Sequence, residues 1–537
     1  MGEAADLVIL GGSIEPIATP ANPLHDAVAV RGGRVAAIGA SADLRSDIGP
    51  STEVVELRGE TVLPGFQDAH IHPIEGGLLA DRCDLHALTD ADSYLEAIRA
   101  YAEAHAERDW ITGSGWSLPA FPGGEPDRVL LDGVVGGRPA ILESNDGHVA
   151  WVSTRAMELA GIDDATPDPH DGRIARDASG AATGTLHDGA THLVSRLVPS
   201  PSHQELVRGL LAAQSELHGL GITAWQDAHV EAAELAAYRE AAGDGRLTAR
   251  VEAALWWDRS RGLEQIEWLE AARASAPGQG WLRAGSAKLM LDGILESRTA
   301  LMTTLYAGRE ERGSPFIEPD LLRQAVIELD RRGFSCHFHA IGDGAVRLAL
   351  DTVEAARTAN ARTAGRHHVA HIEVIHPDDI GRFAALDVTA NMQPLWAADD
   401  DQMRDLRIPV LGEERAAWQY PFGSLARAGA RLAAGSDWTV SSADPLREIE
   451  VAVRRVAPET RDVEPFLPDE RLSLDRALAA FTIGSAFVNH LDAETGTIEV
   501  GKLADLVILD RDIRSPDADP IGDVRVQSTY VGGRRVA

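Results

Sequence analysis

The chain has 537 residues, 44% of them hydrophobic, and its 50 Lys and Arg against 83 Asp and Glu give a formal net charge of −33. This length suits one large domain with a smaller satellite domain. The negative charge argues against nucleic acid or an anionic membrane surface as a partner, because both require a basic footprint.

The cysteine content and the terminal sequence bear on where the protein works. Cys83 and Cys336 are the only two cysteines, so disulfide bonds are excluded as the basis of stability and a reducing cytoplasm is expected. The acidic start over residues 1–6 lacks the basic segment and apolar core of a signal peptide. No apolar run approaches the ~20 residues that a membrane-spanning helix needs.

Both ends of the chain predict short β-strands separated by glycine turns. The runs lie at 7–10, 27–30, 35–38 and 54–57, and at 496–498, 506–509, 524–526 and 529–531. The runs at 7–10 and 506–509 are both LVIL preceded by Ala-Asp. We therefore expect residues 1–62 and 486–537 to build one small β domain, with the rest of the chain inserted between them.

The most informative stretch, residues 66–73, reads FQDAHIHP. Successive side chains on a strand alternate faces, so His70 and His72 point the same way, together with Asp68. Two neutral imidazoles side by side at a strand end suit zinc and similar divalent metals. On its own, the pair fits two ordinary strand histidines equally well.

The middle of the chain alternates apolar strand-like runs with amphipathic helices. Candidate strands are 62–72, 139–144, 221–228, 249–256, 284–291, 334–339, 367–373, 387–394 and 430–436, and candidate helices include 94–105, 204–218, 232–242, 321–331 and 345–357. This alternation predicts a (β/α)8 barrel over residues 63–485. The ninth strand is one too many, so one assignment is wrong or belongs to an insertion. We place an insertion around 75–200 and expect it to form part of a lid or substrate pocket.

Further polar residues fall at the carboxyl ends of predicted strands, where barrels carry their chemistry. They are Lys288, His339, His371 and Asp437. The chain has only one other lysine, Lys502. A lysine that persists where arginine has replaced the others is of interest, because a buried lysine can lose its proton and react as an amine.

An ordered set of motifs resembles the amidohydrolase superfamily and, within it, the YtcJ-like amidohydrolase 3 group. The motifs are PGFQDAHIH at 64–72, KLMLDG at 288–293, HAIGD at 339–343, AH at 370–371 ahead of HP at 376–377, QPL at 393–395, GSDW at 435–438 and GKLADLV at 501–507. They span essentially the whole chain. The resemblance implies an α/β fold, a (β/α)8 TIM barrel with a composite β-sandwich formed by both termini. It also implies metal-dependent hydrolysis of carbon–nitrogen bonds other than peptide bonds.

Carried over residue by residue, the resemblance implies the metal ligands His70, His72, Lys288, His339, His371 and Asp437. Asp437 and the two histidines of the first strand would hold one divalent ion, most simply zinc. The other two histidines would serve a second ion or complete a single site. Lys288 matches a lysine that is carboxylated in two-metal members, and a buried lysine paired with a carboxylate is the alternative.

Several neighbours of these ligands are assigned supporting positions. His337 shares a strand face with His339 and is a rival ligand, but the AIGD sequence that follows His339 favours His339. Asp68, Asp292 and Asp343 are expected to orient ligands or form turns.

The metal defines the expected mechanism. A bound cation lowers the pKa of water from ~15.7 toward ~7. Asp437 would take the proton of the attacking water and return it to the leaving nitrogen. His339, His371 or the metal would polarise the scissile carbonyl group.

The expected partner is a small-molecule amide, and its identity remains open among N-formyl amines, N-acyl amines and cyclic amides. Eleven tryptophans make an aromatic-walled pocket conceivable, and Trp396 and Trp438 follow predicted strands. Asp146 and His148 lie in the segment NDGH at 145–148, which resembles a pocket segment of the group. These four residues are the candidate substrate contacts. A homo-oligomer also remains open.

Two other functions fit the same barrel. A deaminase or decarboxylase would use the metal for a different reaction, although Lys288 favours amide hydrolysis because single-metal deaminases do not need it. A non-catalytic binding relative would be expected to lose metal ligands, and none is lost here.

Overall fold

A computed structural model of the protein describes residues 4–17, 24–276, 280–361, 365–515 and 520–537. Four β-sheets organise this part of the chain. Residues 1–3, which begin the acidic segment that lacks signal-peptide features, lie outside the described residues.

Eight parallel strands form the central sheet, and their order in the sheet follows the chain. They are β1 (Phe66–Ile71), β2 (Ile222–Val230), β3 (Arg250–Trp256), β4 (Leu282–Met290), β5 (Ser335–Ala340), β6 (His368–His371), β7 (Thr389–Met392) and β8 (Leu432–Ala434). Just beyond β8, the Asp437 N–H donates to the His70 carbonyl (2.8 Å) and the His72 N–H donates to the Trp438 carbonyl (2.9 Å). The sheet therefore curls into a nearly closed barrel, which confirms the predicted fold class.

Helices cover the outside of the barrel and bury their apolar faces against it. They include Pro73–Leu78, His203–Gly219, Ala232–Gly243, Ile266–Ser275, Pro319–Arg331, Asp343–Asn360, Ile380–Ala385, Phe422–Arg427, Pro445–Arg454 and Leu474–Ala479. Local sequence sets where they begin. Ser202 and Glu205, for example, form a capping box at the start of His203–Gly219. Within the described ranges, no helix is both long enough and apolar enough to cross a bilayer.

Two smaller sheets contain the chain termini. One is formed by Leu7–Leu10, Ala27–Arg31, Arg34–Gly39 and Glu53–Glu56, and the other by Ser13–Ile14, Thr61–Pro64, Leu506–Leu509, Val526–Val531 and Arg534–Arg535. Residues of both sheets share one apolar cluster, which includes Ile9, Val28, Leu506 and Tyr530. The termini thus form the extra sheet domain that accompanies the barrel.

Three strand predictions at these ends need correction. The run at 496–498 is not a strand: Gly496 has φ of 80°, and Ile498 is buried in the terminal apolar cluster without a ladder. The runs at 524–526 and 529–531 belong to one strand, Val526–Val531. The predicted strand 62–72 is two strands, because the chain passes at Gly65 from the terminal sheet into β1.

A third small sheet is inserted between β1 and β2. Its strands are Cys83–Asp84, Ile111–Trp116, Ala140–Ser144, Val149–Val152, Gly172–Arg176 and Ala182–Asp188, and its helices include Ala91–Ala104, Arg128–Asp132 and Thr154–Ala160. Trp116, Phe121 and Trp151 pack together in its own apolar core. The ninth predicted strand, at 139–144, therefore lies in this inserted sheet and not in the barrel. The domain limits drawn from the sequence stay a prediction.

Candidate metal centre

Three histidines and one aspartate meet at the carboxyl-terminal end of the barrel. The Asp437 Oδ1 atom lies 3.1 Å from His72 Nε2 and 3.4 Å from His70 Nε2, and its Oδ2 atom lies 3.7 Å from His371 Nδ1. One ligand atom from each of His70, His371 and Asp437 falls within 4.8 Å of the others. These residues lie on strands β1, β6 and β8 or just beyond them, so the barrel's register brings together side chains that are hundreds of residues apart.

Lys288 and His339 adjoin this cluster. The Lys288 Nζ atom lies 3.2 Å from His70 Nε2, and the His339 ring centroid lies 4.5 Å from that of His371. Asp292 Oδ1 is 3.3 Å from His339 Nδ1. The carboxylate of Asp292 also accepts from the N–H groups of residues 301, 341 and 342, so it joins the loop that follows β4 to the loop that follows β5.

The rival histidine lies behind the cluster. The His337 Nε2 atom is 2.8 Å from His70 Nδ1, on the ring edge opposite the one that faces Asp437. Its own ring packs against His368, with centroids 4.1 Å apart. His337 is therefore placed to hold His70, whereas His339 lies on the wall of the adjoining cavities.

The backbone is strained where it presents the ligands. His371 has φ of 77° and Asp437 has φ of 53°. Residues other than glycine rarely adopt this left-handed region, and such strain persists only where surrounding structure enforces it. Functional sites are where strained residues concentrate.

Burial keeps most of the cluster's histidines neutral. It lowers the pKa of His70, His339 and His371 well below the usual range, and nearby Lys288 adds to the effect on each. Burial also lowers the pKa of the Lys288 amine to about 8. Neutral imidazole is the form that binds a metal ion.

Asp437 and His72 shift each other's pKa in opposite directions. Burial alone would raise the pKa of Asp437, but its contacts with His72 and Lys288 outweigh burial and hold the pKa below its usual value. Burial would lower the pKa of His72, and its contact with Asp437 reverses this and raises it. The carboxylate is therefore ionised at neutral pH.

The donor set fits a divalent metal ion. Both ring nitrogens of His371 are fully buried without a hydrogen-bond partner. Buried polar atoms are normally satisfied, and an ion bound to one of these nitrogens would satisfy it. Imidazole nitrogens with a carboxylate oxygen form the donor set that zinc prefers.

Two cavities adjoin the cluster, one of about 740 Å³ and one of about 190 Å³. Both are lined by Asp146, His148, His339, His371 and Asp437. The inserted sheet thus supplies one wall of the space beside the cluster.

The two predicted tryptophan contacts differ in placement. Trp396 lines the smaller cavity, and its ring stacks on His371 with centroids 5.3 Å apart and planes 9° from parallel. Trp438 is not among the described residues that line the two cavities. Its indole packs against Gly76 and is only 8% exposed, so it is placed as a packing residue.

Sequence reasoning missed the partner of His148. The Nδ1 atom of His148 lies 2.7 Å from Asp188 Oδ1 at the end of another strand of the inserted sheet. Burial would lower the pKa of His148, but the contact with Asp188 outweighs it and raises the pKa to about 9. Forty residues separate the two positions, and no local motif links them.

Residues 53–537 match the Amidohydro_3 model of the amidohydrolase family, and the chain belongs to that family. The resemblance predicted from the motifs is thereby confirmed.

Three curated relatives match over nearly their whole lengths. Protein LONG AFTER FAR-RED 3 of Arabidopsis thaliana is 31% identical over 100% of this chain and 92% of its own. YtcJ of Bacillus subtilis is 29% identical over 95% and 96%, respectively. An N-substituted formamide deformylase of Arthrobacter pascens is 27% identical over 99% and 98%.

A solved structure shares the architecture. It is an uncharacterized metal-dependent hydrolase from Pyrococcus furiosus, 26% identical, with a TM-score of 0.72 over 96% of this chain and 99% of that chain. This similarity extends across both the barrel and the terminal sheets.

Proposed function

We propose that this protein is a metal-dependent hydrolase that cleaves the carbon–nitrogen bond of a small-molecule amide, with N-formyl and N-acyl amines as the substrate class. The observation that carries the proposal is the convergence of four side chains, those of His70, His72, His371 and Asp437. The ring nitrogens of His371 have no hydrogen-bond partner in this cluster. The similarity to an N-substituted formamide deformylase over nearly the full length supports this bond type.

The chain's own groups divide the work between holding the ion and moving protons. A zinc ion held by His70, His72, His371 and Asp437 would supply a Lewis acid that lowers the pKa of water toward ~7. Asp437, which is ionised at neutral pH, accepts the proton of the attacking water and returns it to the leaving nitrogen. His339 faces the same cavities and is placed to bind a second ion or the scissile carbonyl oxygen.

Lys288 bears on the number of ions. Its amine, with a pKa lowered by burial to about 8, has a neutral fraction near pH 7, and only neutral amine reacts with CO2 to form a carbamate. We propose that Lys288 is carboxylated when two ions are bound. Metal stoichiometry, together with a carbamate signal after equilibration with 13C-bicarbonate, tests this directly; one ion per chain and no signal would contradict it.

We also propose that the protein's binding partner is a small molecule. The net charge of −33 and the acidic cavity lining support a small molecule as the partner and oppose nucleic acid or an anionic membrane. Light scattering of the purified protein would determine whether it forms a homo-oligomer.

The function is tested with a panel of N-formyl and N-acyl amines, using protein stripped of metal by chelation and then reloaded with zinc. We expect carboxylate and free amine to be released only by the reloaded protein. Asp437→Asn, assayed at saturating zinc so that the site is filled, should keep its melting temperature while kcat falls by about 10²–10⁴-fold, the usual contribution of acid–base catalysis. Asp320→Asn is the control, since Asp320 is 72% exposed on a surface helix.

Other results from the substrate panel would indicate other functions. Release of ammonia or CO2 in place of an amine would point to a deaminase or a decarboxylase. A protein that binds no metal and hydrolyses nothing in the panel would contradict the proposal and favour a non-catalytic relative.

A further inference from the structure

A turn of the inserted sheet brings two unpartnered acceptor oxygens to the smaller cavity. The turn follows the strand that ends at Ser144. Asp146 Oδ1 accepts from the Ser144 hydroxyl (2.5 Å) and from the His148 N–H (3.0 Å). The other carboxylate oxygen of Asp146, Oδ2, and the Oδ1 atom of Asn145 are fully buried with no hydrogen-bond partner among the described residues. The turn therefore fixes Asp146 through one oxygen and leaves the other without a donor.

A third such oxygen comes from the barrel. Glu373 follows β6, its side chain is only 2% exposed, and it lines the same cavity. Its Oε1 atom lies 3.4 Å from a guanidinium nitrogen of Arg407, whereas its Oε2 atom has no hydrogen-bond partner within the described ranges. Three buried acceptors from separate parts of the chain thus border one cavity of about 190 Å³.

Arg407 also lines this cavity, but its charge is already matched. Its Nε atom donates to Glu296 Oε1 (2.5 Å), and another of its nitrogens donates to the Tyr420 hydroxyl. The same Glu296 oxygen accepts from Gln402 Nε2 (2.6 Å). The guanidinium is therefore engaged by Glu296, and Asp146 forms no ion pair with an arginine or lysine in the part of the chain that the structure describes.

The acceptors and the metal centre border the same space. His339, His371 and Asp437 line the smaller cavity together with Asn145 and Asp146. The apolar side chains that share this lining are those of Ile294, Ile341, Leu395, Trp396 and Val440. A ligand that fills the cavity therefore meets the metal centre, an apolar wall and the three acceptor oxygens.

A ligand that satisfies three acceptors must bring several donors. A primary ammonium group has three N–H donors and no acceptor, and its hydrogen bonds to carboxylates are charge-assisted. A carboxylate group has no donor, and a hydroxyl group has one. Because unpaired buried acceptors are costly, the cavity favours an ammonium group over either of these.

We propose that the smaller cavity binds a primary ammonium group of the substrate through Asn145, Asp146 and Glu373, so that the preferred substrates are diamines with a formyl or acyl group on one nitrogen. This inference rests on the proposed amide hydrolysis and narrows its substrate class. The amide of such a substrate lies at the metal centre. Its second nitrogen is protonated at neutral pH, like a lysine side chain with a pKa of about 10.4, and lies against the three oxygens.

The test compares N-alkylformamides of increasing chain length that end in an ammonium, a methyl or a carboxylate group. The measured quantity is the ratio of kcat/KM for the ammonium-ended formamide to kcat/KM for the methyl-ended formamide of the same length, with zinc-loaded enzyme. We expect a ratio of roughly 10–100, the contribution of a charge-assisted hydrogen bond. The ratio should peak at one chain length, because the acceptors are fixed relative to the metal centre.

Two variants test the acceptors themselves. Asp146→Asn retains an acceptor for Ser144 and His148 and replaces the unpartnered oxygen with an N–H donor, so it should lower the ratio roughly 10-fold or more. Glu373→Gln should lower the ratio as well. A general loss of activity affects both formamides alike and cancels in the ratio, and a melting scan of each variant checks that the fold is kept.

The matched control is Asp401→Asn, which removes the same charge from a side chain that is 76% exposed. Asp401 is not among the described residues that line either cavity, so the ratio should stay at the wild-type value. A high ratio that both Asp146→Asn and Asp401→Asn leave intact would overturn the inference, since the net charge of −33 would then account for the preference.

The substrate series separates this inference from the proposed function. A ratio near one, or a preference for the carboxylate-ended formamides, in an enzyme that hydrolyses the methyl-ended series would overturn the ammonium subsite and leave amide hydrolysis standing. Hydrolysis of none of the formamides by the zinc-loaded wild type would overturn both.

Discussion

The Asp68 carboxylate joins the first and last strands of the barrel beside the metal centre. Its Oδ1 atom accepts from the His70 N–H (2.9 Å), and its Oδ2 atom accepts from the N–H and the hydroxyl of Ser436 (3.0 and 2.7 Å). Burial raises the pKa of Asp68 to about 7 despite these hydrogen bonds. One side chain thus fixes both a histidine ligand and the residue before Asp437.

Removing the Asp68 carboxylate should weaken metal binding, although none of the proposed metal ligands is replaced. We expect Asp68→Ala to lower zinc affinity by about 10–100-fold, the usual effect of removing a group that orients ligands, because His70 and Asp437 lose their common anchor. Competition with a chromogenic chelator measures the affinity. Asp320→Ala on the surface should not change it, and an equally unchanged affinity in Asp68→Ala would show that the carboxylate is dispensable.

The helix Pro73–Leu78 begins directly after His72 and packs against the helix His203–Gly219. The two approach so closely that a methyl group added at Gly77 would overlap the backbone of Gly209. Glycine at this position is required by backbone contact and not by an unusual turn. The contact fixes how closely the helix that follows His72 lies against its partner.

Gly77→Ala should therefore destabilise the protein by about 1–3 kcal/mol, as overpacking does, and should also weaken zinc binding through His72. The matched control is Gly219→Ala at the end of the partner helix, where an added methyl group meets no atom within 4 Å. That change should be neutral or slightly stabilising, since alanine favours a helix more than glycine does. Urea unfolding midpoints compare the two, and equal midpoints would contradict the close-packing argument.

The elements also explain why some strands were misplaced from sequence. Apart from Gln67 and Asp68, the run at 62–72 is apolar up to its histidines, and periodicity alone gives no reason to divide it. The division arises because Thr61–Pro64 pairs with Leu506–Leu509 while Phe66–Ile71 pairs with β2. Which partner a strand finds is decided by distant segments.

A buried ion pair between Arg250 and Asp505 joins the terminal sheets to the barrel. Arg250 at the start of β3 donates to both oxygens of Asp505 (2.6 and 3.0 Å), and the two side chains are 7% and 1% exposed. The Gly532 N–H also donates to Asp505 (2.7 Å). The contact links the C-terminal segment to the barrel end opposite the metal centre.

Asp505→Asn should lower the unfolding free energy by about 3–5 kcal/mol, because it leaves the Arg250 guanidinium buried without a charge partner. The control is Glu56→Gln, which breaks a terminal-sheet pair whose side chains are 56% and 64% exposed and should have little effect. Denaturant titrations of both variants provide the measurement. Equal shifts would mean that the buried pair contributes no more than a surface pair.

Local patterns along the chain are sufficient to predict the barrel and the set of candidate metal ligands. Strand and helix periodicity gave the barrel, and the family motifs identified His70, His72, Lys288, His339, His371 and Asp437 as one set. Periodicity and motifs can be recognised in the sequence because a strand's alternation and a motif's spacing are properties of neighbouring residues. They also predicted an insertion around 75–200, although periodicity alone left 139–144 among the candidate barrel strands.

How those residues meet became clear only from the three-dimensional fold. It placed His337 behind His70, turned Trp438 into the packing beside Gly76 and paired His148 with Asp188 across the inserted sheet. The physical reason is that these contacts depend on strand register and on the approach of separate sheets, neither of which is encoded in the spacing of residues along the chain.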